Sequence, residues 1–244
     1  MKLKKTLASI ALAGALTFGG APKAKADGWY FNDFENPNNS LTEWSNPKTD
    51  ITPGTNYHAP DRFLGQYGNG PITLTLTNLP THNSISVAFD LYAIRTWDGN
   101  GPYSGDDIWG LVADGQILLN TTFSNMEIAN PTQAYPNNYS LETNSARAGA
   151  SENNTLGFLY GDEVIDSVYN FPNQYHNFTF SHSGSNLTLT FYGGENLQGI
   201  NDESWGLDNV RIRNGVIPEP SSIALLGAGG LVGLLAGKRK KKFS

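Results

Sequence analysis

Apolar residues in the middle of this chain return at every second position and never settle into a three-to-four spacing over any long stretch. In residues 71–79, Ile72, Leu74 and Leu76 alternate with Thr73, Thr75 and Thr77, which sets an apolar face against a β-branched polar one. Ile85, Val87, Phe89, Leu91 and Ala93 share a face over 84–94. Residues 108–113 and 116–123 flank Asp114-Gly115, a strong signal for a tight hairpin. Phe178 and Phe180 alternate, Ser183-Gly184-Ser185 turns the chain, and Leu187, Leu189 and Phe191 alternate again. Short strands at this spacing predict an all-β, two-sheet antiparallel sandwich of jelly-roll type. The last strand changes phase: Trp205 and Leu207 lie on one face, but Val210 and Ile212 resume one residue late. A β-bulge near Asp208-Asn209 is the expected cause.

The chain has no cysteine, which excludes disulfides, iron–sulfur clusters, thiolate zinc sites and a Cys nucleophile. Stability then rests on core burial and on any metal the body holds. Trp109 and Trp205 are expected in that core, and Trp29 and Trp44 over a sheet edge.

The two ends differ from the body. Residues 1–26 join a basic start (Lys2, Lys4, Lys5), an apolar stretch over 7–18 and a small-x-small cleavage site, Ala24-Lys25-Ala26 before Asp27. This is the pattern of a secretory signal peptide. At the other end Ile217-Pro218-Glu219-Pro220 precedes an uncharged run over 221–237, then the basic cluster 238–242. The run predicts a transmembrane helix whose basic flank stays in the cytoplasm. Between the ends, residues 27–217 hold six bases against 21 acids, a net of −15. So acidic a body argues against nucleic acid and for cations or neutral ligands.

The C-terminal 28 residues resemble the bacterial PEP-CTERM sorting signal: a Pro-Glu-Pro triplet (Pro218, Glu219, Pro220), an apolar helix and a terminal Arg/Lys cluster, in that order. The resemblance implies recognition and processing by exosortase after export. It also implies transient residence in the inner membrane through 221–237, then delivery to the cell surface or extracellular matrix. The chain thus divides into a signal peptide (1–26), a β-sandwich ectodomain (27–216) and a sorting tail (217–244).

Acidic residues gather in three places: Asp33-Phe34-Glu35; Trp97-Asp98-Gly99 with Gly105-Asp106-Asp107; and Asn201-Asp202-Glu203 with Asp208-Asn209. Calcium takes six to eight oxygens from such carboxylate-, Asn- and Gly-rich turns. Composition makes Asp98, Asp106, Asp107 and Asp202 candidate ligands of a structural Ca²⁺. An opening strand ending Phe34-Glu35 and a closing strand with Asp208 before Val210 are similar to jelly-roll carbohydrate-binding modules and galactose-binding-like domains. That resemblance adds Glu35 and Asp208 as calcium ligands.

Sugar rings stack on aromatic faces while polar groups bind their hydroxyls. Trp97, Tyr103 and Arg95 are the candidates for such a site, with the irregular segment 125–154 beside them. Catalytic patterns are missing. His58, His82, His176 and His182 share no zinc spacing, and neither a Gly-x-Ser-x-Gly elbow nor a phosphate-binding loop occurs. The expected function is therefore a non-catalytic, exported surface or matrix protein. The alternative is a carbohydrate-binding module for extracellular polysaccharide. A glycoside hydrolase built on Gly161-Asp162-Glu163 and Asp166 comes third.

Overall fold

The computed structural model describes residues 29–101, 105–126, 132–139 and 143–215. The predicted signal peptide, Tyr103 and the sorting tail lie outside these residues. Among the described residues every regular element is a strand, and every pairing is antiparallel.

Two sheets supply most of the body. The larger has eight strands, with Ser84–Arg95 and Glu203–Asn214 side by side at its centre. Both are twelve residues long, which lets two shorter strands share one flank of Ser84–Arg95. Asp166–Phe171 pairs with its Phe89–Ile94 half and Phe178–Ser181 with its Ser84–Val87 half. Arg62–Tyr67 and Tyr30–Asn32 divide the outer flank of Glu203–Asn214 in the same way. The smaller sheet runs Gly70–Leu76, Leu187–Gly193, Ile108–Ala113 and Gln116–Thr122.

The alternation read from sequence is the one that builds the core. Val87, Phe89, Leu91 and Ala93 of the larger sheet join Leu74, Leu111, Leu189 and Phe191 of the smaller in one buried cluster. Trp97, Trp109 and Trp205 are completely buried there. Each such side chain contributes about 1.5–3 kcal/mol on leaving water, which is how a chain without disulfides holds its shape. The final strand shifts register between Asp208 and Arg211, with Asn209 at φ 50°. This is the expected bulge, and it brings Val210 and Ile212 back to the core. Asp114 and Gly115 take φ 45° and 85° between paired Ala113 and Gln116, as the hairpin requires.

The outer face of the larger sheet carries a second, smaller cluster: Phe63, Tyr92, Ile94, Leu156, Phe158 and Val168. Two irregular segments meet above it. A Cβ on Gly157 (φ 87°) would lie 2.0 Å from the Gly54 carbonyl oxygen, so no larger residue fits this crossing.

Both edges of the smaller sheet are covered. Ser45 donates its amide to Thr73 O at 2.9 Å, and Thr75 donates to Glu43 O at 2.9 Å, which covers the Gly70–Leu76 edge. Along Gln116–Thr122, Tyr139 donates to Asn120 O at 2.7 Å and the Thr121 hydroxyl to Asn137 O at 2.7 Å. The larger sheet ends in strands of two and three residues, Glu152–Asn153 and Thr49–Ile51. Short or covered edges leave few backbone groups for another chain to pair with.

Candidate metal centre

Two of the three acidic segments converge. The Trp97-Asp98-Gly99 turn follows the long strand Ser84–Arg95, and Asp98 is bridged to Ser124. Asp107 stands just before Ile108–Ala113, and Glu203 opens Glu203–Asn214. One carboxylate oxygen from each of Asp98, Asp107 and Glu203 lies within 4.8 Å of the other two. Asp107 and Glu203 are 0% and 1% exposed.

Asp107 divides its two oxygens. Oδ2 accepts the amides of Asp98 and Gly99, the second at 3.2 Å, and so fixes the turn. Oδ1 is buried and accepts nothing. Glu203 Oε2 accepts the Gln198 amide at 2.8 Å. Neither Asp107 nor Glu203 meets a Lys or Arg at ion-pair distance among the described residues. Burial, and then the charge of Glu203, push the Asp107 carboxyl up to about 8. Burial pushes Glu203 up to about 7 against the opposing Gln198 amide. Two more buried oxygens beside the Asp98–Ser124 bridge, Ser124 Oγ and Asn125 Oδ1, also lack a hydrogen-bond partner.

Unpaired buried oxygen is costly, and three carboxylates this close repel unless a proton or a cation lies between them. An all-oxygen donor set without His or Cys suits a hard cation such as calcium. The residues present therefore fit a divalent ion.

Of the candidate ligands expected from sequence, Asp98 and Asp107 come together in this cluster, and Asp106 and Asp202 lie outside it. Asp106 instead accepts the Tyr139 hydroxyl, and Asp202 is held by the Thr96 amide and hydroxyl. The third carboxylate of the cluster is Glu203, which the sequence reading named only as part of an acidic run. Strand alternation carried the signal: Asp107 has the parity of core residues Trp109 and Leu111, and Glu203 that of Trp205 and Leu207. Asp106 and Asp202 have the opposite parity.

Glu35 and Asp208 meet only through a third acid. Glu35 is exposed; its Oε1 accepts the Arg62 amide at 2.9 Å, and a hydrogen bond shared with Asp61 raises its carboxyl. The Tyr92 hydroxyl lies 3.0 Å from Asp61 Oδ2 and 3.1 Å from Asp208 Oδ2. One hydroxyl proton serves only one of them. Burial, and to a lesser degree Asp61, push the Asp208 carboxyl up to about 8, against the pull of Asn209, which donates its amide to Oδ1 at 2.7 Å and its side chain to Oδ2 at 3.0 Å. Asp61 carries no local sequence signal for this role.

The sugar-stacking candidates change most. Trp97 is fully buried and its indole N–H donates to Ser204 O at 2.9 Å, so it offers no face to a ligand. A turn-rich neighbourhood suggested an exposed loop; the chain does turn after Arg95, but the indole packs inward against Phe123. Arg95 is also committed, donating to Gln66 Oε1 at 2.7 Å and to Ile200 O at 2.9 Å. Tyr103 lies outside the described residues. The segment 125–154 places Tyr135 in the core rather than on the surface. Asp166, proposed for hydrolysis, is buried and accepts four amides, from Thr155, Leu156, Gly157 and Phe158. It anchors backbone.

The C-terminal end of the chain supplies what the body does not. Residues 216–240 match the PEP-CTERM protein-sorting motif. The chain carries a PEP-CTERM sorting signal. The signal implies processing by exosortase and, before it, an exported precursor held in the membrane. No curated protein matches the chain. Among the described residues no helix is long and apolar enough to cross a membrane. The predicted span 221–237 and the triplet Pro218-Glu219-Pro220 lie outside them.

Proposed function

We propose that this chain is an exosortase-sorted surface or matrix protein whose body is a non-catalytic, two-sheet β-sandwich stabilised by calcium. Two observations carry the calcium part of this reading: the carboxylates of Asp98, Asp107 and Glu203 gather within 4.8 Å, and Asp107 Oδ1 is buried without a hydrogen-bond partner. The sorting motif carries the delivery part. In the exported state calcium would neutralise the three carboxylates and join the Asp98 turn to the first residue of the closing strand.

Replacing Pro218, Glu219 and Pro220 together by alanine should leave a membrane-held precursor heavier than the processed protein by the mass of the tail. Mass spectrometry of the membrane and external fractions reads this directly. Equal masses for wild type and variant would remove exosortase from the account.

A second reading, carbohydrate binding, is favoured by one observation. A cleft of about 310 Å³ opens on the outer face of the larger sheet, lined by Asp61, Asp90, Tyr92, Asn170, His58 and Glu152 among others. Hydroxyl-rich ligands bind through such groups. A glycan array should show binding that Asp90→Ala weakens tenfold or more; a blank array would retire this reading.

A further inference from the structure

His82 and His182 are one hundred residues apart in sequence, in the turns that precede Ser84–Arg95 and follow Phe178–Ser181. Their rings meet nitrogen to nitrogen, His82 Nε2 to His182 Nδ1 at 2.6 Å. The outer nitrogens are occupied too. His82 Nδ1 lies 2.5 Å from the Pro80 carbonyl oxygen. His182 Nε2 lies 3.1 Å from Asn186 O and 3.0 Å from the Asp114 carboxylate.

Carbonyl and carboxylate oxygens only accept, so both outer nitrogens carry hydrogens, and a neutral imidazole has just one N–H. Two neutral rings would therefore aim bare lone pairs at each other across 2.6 Å. The ring planes differ by 8° and the centroids are 4.9 Å apart. With ring bonds of ~1.35 Å, each nitrogen lies about 1.15 Å from its centroid, so the 4.9 Å separation is the N···N contact laid in line between coplanar rings. That is the geometry of one linear N–H···N bond.

We propose that His82 and His182 bind a single proton beyond their two neutral forms, with Asp114 as counter-ion, and so fasten three turns of the body together. A metal ion would also explain why both outer nitrogens are held by acceptors. It needs more room: two imidazoles on one tetrahedral zinc, at 2.0–2.1 Å each, stand roughly 3.3 Å apart. A proton fits the contact as it stands. Asp114 is the one charged side chain within ion-pair distance of either ring among the described residues. Trp29 and Phe180 pack on the pair from the other elements and bring no charge.

Long-range ¹H–¹⁵N correlation on the full-length chain, in chelator at about pH 6, tests this. The expected spectrum has hydrogens on His82 Nδ1 and His182 Nε2 and one proton coupled to both inner nitrogens. In His82→Gln, His182 should lose that coupling. An unprotonated Nδ1 on His82, or inner nitrogens that share no proton in the wild type, would overturn the proposal. So would zinc binding that is stoichiometric in the wild type and lost in His82→Gln.

Discussion

Calcium added to the chelator-treated protein is expected to raise its melting temperature by roughly 5–10 °C, and Asp107→Asn is expected to abolish that rise. A ligand that binds only the folded state stabilises it by about 2.7 kcal/mol at one hundred times its dissociation constant. In a body of this size each kcal/mol moves the melting temperature by about 2–4 °C. Asp107→Asn keeps an oxygen to accept the amides of Asp98 and Gly99 while removing the charge that faces Glu203. The variant should therefore melt above the calcium-free wild type near pH 8 and ignore calcium. Asp106→Asn supplies the contrast, because Asp106 is held by Tyr139 away from the cluster, and its calcium response should match the wild type. Identical melting curves in EDTA and in millimolar calcium would end the metal assignment.

Without calcium, the protein should lose stability as the pH rises from about 5 to about 8. Asp107 and Asp208 are pushed up to about 8 and Glu203 to about 7, all above the ordinary carboxyl value. A carboxyl raised on folding favours the folded state fully below its unfolded value. That contribution fades as the pH climbs through the folded value. Taken alone, a displacement from 3.8 to about 8 corresponds to roughly 5–6 kcal/mol. Relaxation and water entry lower the net, so a loss on the order of 5 kcal/mol for the three groups together is expected, or ~10–20 °C in melting temperature. Calcium should cancel the share from Asp107 and Glu203 and leave the share from Asp208, which Asp208→Asn should then remove. A flat profile in chelator over this range would mean that the carboxylates are hydrated in solution.

How far the chain could be read in advance depended on sequence distance. Alternation, the Asp114-Gly115 turn and the phase slip at Asp208 are local, and each appears where the residues placed it. The Asp107 and Glu203 orientations were legible in principle from the parity of Trp109 and Trp205. Two things were not legible. Asp61 reaches Asp208 through Tyr92 across the sheet, a meeting set by strand order rather than by any neighbouring residue. Trp97 looked like a loop aromatic because Asp98 and Gly99 follow it, yet its burial depends on Phe123 and Ser204 arriving from distant strands. Indole rings next to turns divide between binding and packing according to what arrives above them, and composition carries no record of that.

At the proposed surface or matrix location many copies of one molecule would share a narrow external layer, the circumstance in which unpaired strands propagate into fibrils. Here the segments around Glu43 and Tyr139 already occupy the hydrogen-bonding positions that a neighbouring copy would need. Crowding would bring such molecules together through side chains more readily than through the smaller sheet, whose two edges are already covered.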